Sequence, residues 1–448
     1  MTNELHEKYV KMTETPVEKL VLKLALPAII SMLITAIYNM ADTYFVGQVG
    51  TSATAAVGVA FPLMSLIQAV SFFFGHGAGN SISRKLGAED DKDALKMAST
   101  GFYSSVAFGI VIAILGIIFI YPLSVFLGAT DTMLSYSKGY LLFILLGAPF
   151  ISGSFVMNNL LRFQGNAFYG MIGMASGAIL NIVLDPVFIF GFNMDVKGAG
   201  LATLISQITG FAILFFINNK KGIVKIKLKN FDFNKNRYLE IVKGGLPSFA
   251  RQGLNAISVI VLNNIASAYG DAAIAAMSIV SRIGMIVMSA TIGFGQGFQP
   301  VCGYNYGAKK YDRVQKAFRF TLLFTFCILT LGGIICFLFS EQIITAFRKD
   351  ADVIKIGSYA LRLHTLTYPF LSYSVMSNMF LQTIGKSVSA TITAMSRQFM
   401  FFLPVLIVLE NLYGITGIQC TQPIADLLSI ILAIPLTQSV LKKMKHKV

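Results

Sequence analysis

Twelve apolar segments, each about as long as a lipid bilayer is thick, run through this chain. An α-helix needs roughly 20 apolar residues to cross the hydrocarbon core, and a segment in lipid must satisfy its own backbone hydrogen bonds. The segments cover 20–46, 53–79, 98–122, 134–160, 168–190, 199–218, 239–268, 273–299, 316–339, 353–382, 388–409 and 418–440. The pattern predicts an all-α integral membrane protein with twelve transmembrane helices.

The distribution of charge predicts how the helices are oriented. Of the 36 Lys and Arg residues, 28 fall in cytoplasmic segments if the amino terminus is inside, six fall on the other side, and two lie in spans. The positive-inside rule therefore predicts two cytoplasmic termini, and we expect a location in the plasma membrane. The net charge of +15 is spread over loops, which favours membrane orientation over nucleic-acid binding. The first 19 residues are polar and mixed in charge, so we expect no cleaved signal peptide.

The two halves of the chain repeat at an offset of 220 residues, as between Pro27 and Pro247. Further identical pairs are Gly50/Gly270, Gly75/Gly295, Gly77/Gly297, Gly87/Gly307, Pro149/Pro369, Ser154/Ser374, Asn158/Asn378 and Gly165/Gly385. The repeat predicts two six-helix lobes, 1–230 and 231–448, related by a pseudo-two-fold axis along the membrane normal. Parallel repeats of this kind occur in alternating-access transporters.

Acidic residues inside the apolar segments mark the first lobe as the ion-coupled one. Asn181 and Asp185 are four residues apart and share one helix face, and Pro186 can bend the helix beside the acid. A mid-membrane carboxylate costs roughly 2.5–3.5 kcal/mol on insertion scales and usually marks an ion or proton pathway. Asp42 lies in the first span, whereas its repeat partner is Leu262. If both acids share one dry cavity, we expect the pair to hold a proton between them.

Several other polar residues have two interpretations each. Asn158, Asn159 and Gln207 are weaker cavity candidates, since interhelical hydrogen bonds also explain such residues. Arg282 and Asp426 are intramembrane charges, and we expect pairing with each other or another polar group as readily as a transport role. His76 is either a pH sensor or part of a Gly-rich helix end. The chain has 37 Phe and 19 Met, which suit a promiscuous cavity but also ordinary lipid-facing helices.

Catalytic and metal chemistry have little support in this sequence. The four cysteines form no CxxC or Cys/His cluster, and there are only four histidines. The Gly75–Gly79 segment lacks a preceding strand and a following Lys/Ser pair, so it does not resemble a nucleotide loop. We therefore expect no enzymatic activity, no cofactor, no bound metal cofactor and no use of ATP. We expect a lipid bilayer as surroundings and a monomer.

Three stretches resemble the multidrug and toxic compound extrusion (MATE) family. They are NMADTYFVGQVG (39–50), GHGAGNSISRKLGAEDDKDA (75–94) and GFGQGFQPVCGYNYGAKKYDR (293–313). The resemblance covers essentially the whole chain. It implies a secondary antiporter that exports cationic or amphiphilic compounds in exchange for protons or sodium. Because the wider superfamily includes flippases for lipid-linked sugars, that cargo stays open as an alternative.

The resemblance also implies a cation site in the first lobe. Matched by position, its residues are Asp42, Asn181, Asp185 and Thr203, with Tyr38 and Tyr140 nearby, and with Pro27 and Pro186 as helix hinges. The same four oxygen-bearing residues suit sodium. The sodium-coupled branch resembled here has a Glu in the seventh helix and an Asp in the tenth, whereas this chain has Asn255 and no acid between Arg362 and Gln382. We therefore expect proton coupling, with sodium as the alternative.

Overall fold

The computed structural model describes residues 3–445. Helices make up the regular structure of this part of the chain. No β-strand occurs among these residues. The first half contains α1 (Asn3–Glu14), α2 (Val17–Gly47), α3 (Thr51–Gly87), α4 (Asp91–Ile118), α5 (Ile120–Phe126), α6 (Asp131–Phe163), α7 (Ala167–Pro186), a π-helical turn (Val187–Gly191) and α8 (Asp195–Lys221). The second contains α9 (Lys235–Ala266), α10 (Asp271–Gly307), α11 (Tyr311–Leu338), α12 (Ser340–Phe347), α13 (Ala351–Thr383), α14 (Ser387–Met395), a π-helical turn (Ser396–Met400), α15 (Phe402–Tyr413) and α16 (Ile415–Lys445).

The helices repeat at the offset found in the sequence. Five pairs of helices begin 220 residues apart, namely Thr51/Asp271, Asp91/Tyr311, Asp131/Ala351, Ala167/Ser387 and Asp195/Ile415. In one repeated glycine pair, the backbone conformation explains why both residues are glycine. Gly165 and Gly385 follow α6 and α13 with φ of 76° and 81°, and the N–H groups after each helix bond back to its last turn, as in a Schellman motif. A residue with a Cβ would be strained at either position.

Ten helices in the described chain are long and apolar enough to span a membrane. The remaining two long helices, α9 and α13, have 32 and 33 residues, which exceeds the length that a bilayer requires. They are less apolar and carry Arg251 and Arg362. An all-helical membrane protein is therefore confirmed, while the count of twelve spans and the two-fold axis stay predictions.

The chain forms two compact units whose boundaries lie inside helices. Unit 1 contains the segment ending at Met12 and Ile30–Gly245, and unit 2 contains Thr13–Ile29 and the chain from Leu246 onwards. This division differs from the expected cut between residues 230 and 231. The link after α8 and the first part of α9 pack within unit 1, and the first part of α2 packs within unit 2. In α2 the division lies beside Pro27, and in α9 it lies beside Pro247, its repeat partner.

Unit 1 is built around α6, which packs against α3, α4 and α8. Its core includes Tyr140, Leu141 and Leu145, all fully buried. Small residues let the neighbouring backbones approach: a Cβ on Gly109 of α4 would lie 2.8 Å from the Cα of Pro149. Close backbone packing of this kind holds helices together in lipid. The central position of α6 places Tyr140 inside the unit, where it reaches the acids of α2 and α7.

Unit 2 repeats this arrangement around α13, which packs against α10, α11 and α16. Its core cluster includes Met277 and Val280 of α10 with Ala360 and Leu361 of α13. The polar residues of α13 and α16 therefore lie between packed helices. Charged side chains on these helices can therefore contact one another inside unit 2.

Candidate functional site

The polar face of α7 is buried against α8 as the sequence predicts. Asn181 and Asp185 are 2% and 0% exposed. The Asn181 amide donates to Asp185 Oδ1 at 3.2 Å and to Thr203 Oγ1 of α8 at 3.3 Å. One side chain thus joins three of the expected site residues. It also orients Asp185 relative to α8.

The regular α-helix of α7 ends at Pro186 because of a missing backbone hydrogen bond. Pro186 has no N–H group, so the regular hydrogen bond to the carbonyl four residues earlier is missing. The chain continues as a π-helical turn over Val187–Gly191, and wider turns of this type are frequent at functional sites. Asp185 therefore lies at an irregular point in the span. A hinge at Pro186 stays a prediction.

Asp42 of α2 joins the site through Tyr140 of α6. The Tyr140 hydroxyl donates to Asp42 Oδ2 at 3.0 Å, and both residues are buried. Asp42 lies close enough to Asp185 for their charges to interact. Tyr38 lies close enough to interact with both acids. Neither acid forms a salt bridge within the described residues. The unit therefore buries two acids without a permanent cationic partner.

Three oxygen atoms of this group have no hydrogen-bond partner within residues 3–445. They are Asp42 Oδ1, Asn181 Oδ1 and Asp185 Oδ2. An unsatisfied buried polar atom costs about 1–3 kcal/mol, and more when it is charged. A proton or a small cation bound among these oxygens removes that cost. The arrangement is thus suited to exchange a positive charge.

A small cavity inside unit 1 adjoins Asn181, while Asp42 and Asp185 are not among its lining residues. Its volume is about 60 Å³, and its polar lining residues are Thr35, Tyr38, Ser154, Asn181, Thr203, Ser206 and Gln207. Water needs roughly 10–15 Å³ of such space per molecule, whereas drug-sized ligands occupy pockets of about 300–1,000 Å³. The cavity therefore has room for an ion or a few waters and is too small for a drug-sized compound. Ser206 Oγ and Gln207 Oε1 have no partner in the described chain, so both are available to bound water.

The structure places one of the weaker candidates in the cavity wall and the others away from it. Gln207 lines the cavity, as does Ser206, which the sequence analysis missed although it lies three residues after Thr203 on the same helix. Asn158 packs against Gly170 outside the cavity lining. His76 is buried and contacts the Arg162 guanidinium at 3.1 Å.

Of the two pairings expected for Asp426, with Arg282 or with another polar group, the structure shows the second. Arg282 lies in α10 with an exposed side chain. Asp426 accepts from Arg397 Nε at 2.7 Å and from Gln422 at 2.8 Å, and it contacts Thr367 Oγ1 at 3.4 Å. The 28 Lys and Arg residues assigned to the cytoplasmic side include Arg397, but the π-helical turn after α14 places it against α16. The intramembrane ion pair of unit 2 is therefore Arg397–Asp426.

The chain is similar in sequence and in overall structure to known transporters. The family model MatE matches residues 27–187 and 247–408. The chain is 30% identical over 416 residues to the multidrug export protein MepA of Staphylococcus aureus, with 92% of each chain covered. It is similar to an outward-facing multidrug resistance MATE family transporter of the MOP superfamily, at 26% identity, a TM-score of 0.92 and 98% of each chain.

A further solved structure differs in its pocket chemistry. It is a MOP superfamily transporter from Pyrococcus furiosus with a binding pocket of reverse polarity, which suggests a different function for that protein. The match has 25% identity, a TM-score of 0.91, and covers 97% of this chain and 98% of the other.

Proposed function

We propose that this chain, which belongs to the MATE family of transporters, exports cationic or amphiphilic organic compounds in exchange for protons by alternating access. Relatives named as multidrug export proteins support the substrate class. The observation that carries cation exchange is the set of unpartnered oxygens on Asp42, Asn181 and Asp185. The lack of an acid between Arg362 and Gln382 favours the proton over sodium. A family of transporters also agrees with the expectation that the protein is not an enzyme.

The proposed coupling uses the charge of the unit 1 acids. With both carboxylates deprotonated, repulsion between them and the loss of solvation favour a hydrated, open arrangement. A proton on either acid removes one charge and lets that carboxyl donate a hydrogen bond to a neighbouring oxygen. The helices then close around a neutral site. A gradient equivalent to about 150 mV supplies roughly 3.5 kcal/mol per proton, enough for about a 300-fold concentration ratio of a neutral substrate.

Sodium is the second candidate for the coupling ion. Asp42, Asn181, Asp185 and Thr203 offer carboxylate, amide and hydroxyl oxygens, which are the ligands that hard cations prefer. The unpartnered oxygens come from three of these four residues. Transport in vesicles carrying either a pH gradient or a sodium gradient separates the two. Export driven only by the sodium gradient would replace the proton in this proposal.

A flippase for lipid-linked sugars finds less support. That cargo needs a cluster of basic residues for its phosphates, and Arg251, Arg282 and Arg362 were the candidates. Arg251 donates to Asn378 at 2.7 Å, whereas Arg362 is paired with Glu341 at 2.9 Å. The two sites on α13 are 16 residues apart, which is about 24 Å along a helix. These arginines therefore do not form one phosphate site.

The test is Asp185→Asn in proteoliposomes. We expect loss of drug–proton exchange with an unchanged thermal unfolding midpoint, because Asn keeps the shape and removes the titrating group. Asp195→Asn is the matched control, since this acid is exposed and its φ of 50° is one that Asn adopts easily. Undiminished exchange by Asp185→Asn would remove this residue from the coupling site.

A further inference from the structure

A groove on unit 2 is formed by α11 and the start of α2. Its volume is about 360 Å³, and its lining residues are Glu18, Asp312, Gln315, Lys316, Arg319, Phe320 and Leu323. The six α11 residues recur at intervals of one, three and four, so they share one helix face. The exposed Asp312 lies at the end of this face farthest from Leu323. We call this feature the α11 groove. It is larger than the cavity in unit 1 and open to the surface.

One end of the α11 groove carries hydrogen-bond donors with unused capacity. Arg319 is exposed and forms no ion pair within residues 3–445. Lys316 pairs with Glu18 at 3.0 Å, but both side chains are more than one third exposed, so this pair contributes little. The Gln315 Nε2 atom is buried and has no partner among the described residues. These three groups together suit an anionic oxygen-rich ligand.

The other end of the α11 groove is apolar and accessible. Phe320 is half-buried and Leu323 is 65% exposed. Lys316 and Leu323 are seven residues apart, or about 10 Å along the helix. That distance leads from the headgroup level of a bilayer into its hydrocarbon, and the basic end belongs to the side that the positive-inside rule makes cytoplasmic. A ligand here has an anionic head and an apolar tail.

The repeat shows what binds the corresponding face in unit 1. The offset of 220 residues places Lys96, Ser99, Thr100 and Tyr103 of α4 where α11 has Lys316, Arg319, Phe320 and Leu323. The link after α8 covers this α4 face. Asp232 lies 3.9 Å from Lys96, the Lys227 N–H donates to Ser99 at 3.2 Å, and the Phe231 ring packs on Tyr103 at 6.0 Å. The occupant thus combines a carboxylate with an aromatic side chain.

We propose that the α11 groove binds an anionic phospholipid of the cytoplasmic leaflet. Its phosphodiester is held by Arg319, Lys316 and the Gln315 amide, and an acyl chain lies along Phe320 and Leu323. Among the described residues, the start of α2 meets this face through Glu18 at Lys316, whereas on α4 the link after α8 supplies both an acid and an aromatic group. An acidic peptide matches the basic end but not the exposed leucine at hydrocarbon depth. Anionic lipid matches both, and basic residues attract it at the membrane surface.

The experiment measures lipid binding to the full-length protein released from detergent, by native mass spectrometry. The probes are dioleoylphosphatidylglycerol and dioleoylphosphatidylcholine, with soluble glycerol 3-phosphate as competitor. The test variant is Lys316→Gln/Arg319→Gln. The control is Lys442→Gln/Lys443→Gln, which removes the same charge from exposed positions of α16 in the same unit. Thermal unfolding of both variants verifies that each is folded.

The proposal predicts a selective loss. One charge near an anionic membrane surface is worth about a fivefold change in binding, so the groove variant should bind phosphatidylglycerol about 30-fold more weakly. The control should stay within a few fold of the wild type, and phosphatidylcholine should bind weakly throughout. Equal losses in both variants would mean that the overall charge attracts the lipid. Full displacement by glycerol 3-phosphate would show that a free phosphate is enough, and either result overturns the proposal.

Discussion

The ion pair of unit 2 provides a sharp test of the packing described above. Asp426 is 2% exposed and its partner Arg397 has a side chain that is 16% exposed. In Arg397→Met the carboxylate keeps Gln422 at 2.8 Å and Thr367 at 3.4 Å but loses its only cation within the described chain. Breaking a buried pair by removing one partner costs about 3–5 kcal/mol. Because the Gln422 amide remains, we expect the lower end, about 3 kcal/mol.

That loss converts into a measurable change in thermal stability. For folded units of roughly 200 residues, each kcal/mol shifts the unfolding midpoint by about 2–4 °C, so we expect a decrease of about 6–12 °C. The double variant Arg397→Met/Asp426→Leu removes both charges. Replacing a whole buried pair by apolar residues is often neutral or stabilising. The double variant should therefore be more stable than the single one.

The assay is thermal unfolding of purified protein in one detergent. All variants are heated at one scan rate, because membrane proteins unfold irreversibly and the midpoint then depends on the rate. Arg282→Met is the control, since it removes an exposed arginine that forms no ion pair within residues 3–445. We expect this surface change to alter stability by less than about 0.5 kcal/mol.

Two results would refute this reasoning. If Arg282→Met destabilises as much as Arg397→Met, the carboxylate is not specifically paired with Arg397. If the double variant is as unstable as the single one, the loss comes from the packing of the Arg397 side chain instead of from an uncompensated charge. The sign of the difference between the single and double variants thus decides between electrostatics and packing.

Two further predictions concern unit 1. A Cβ on Gly77 would lie 2.3 Å from a carbonyl oxygen of α9. Gly77→Ala should therefore lower the free energy of unfolding, measured by thermal unfolding, by about 1–3 kcal/mol. The control Gly58→Ala, whose Cβ would meet nothing within 4 Å, should be close to neutral. Tyr140→Phe removes the hydrogen bond to Asp42, a loss of about 1.5–3 kcal/mol for a charged acceptor, and should slow proton-driven drug export about tenfold or more. The control Tyr136→Phe, at an exposed position of the same helix, should export at the wild-type rate. Equal rates for both variants would contradict a role for Tyr140.

The helices and their repeat were predictable because their signals are local and periodic. A span appears as a continuous apolar segment, and the offset of 220 residues recurs in the starts of five helix pairs. The unit boundaries were not predictable in the same way. Nothing local tells that the first part of α9 packs with unit 1, since the contact joins Gly77 to the Ile241 backbone. Boundaries inside a helix depend on tertiary packing.

The site was predictable from the sequence only where one helix carries it. Asn181 and Asp185 are four residues apart on α7, and their contact follows from helix geometry. The Tyr140–Asp42 bond joins residues 98 positions apart, and the family resemblance placed Tyr140 near the site without predicting this bond. The same limit explains the error at Arg397. Its partner lies 29 residues away on another helix, so the sequence alone does not distinguish a buried arginine from one at a span end.

The difference between the units follows from two side-chain exchanges on one repeated backbone. At the 220-residue offset, Gly177 corresponds to Arg397 and Ser206 corresponds to Asp426. In unit 1 these small residues line the cavity that adjoins Asn181. In unit 2 an arginine and an aspartate at these positions pair with each other. A carboxylate that is paired with an arginine of the same protein binds a proton or a metal cation less strongly, because its charge is already balanced. Proton exchange is therefore expected in unit 1, where the acids have no such partner within the described residues.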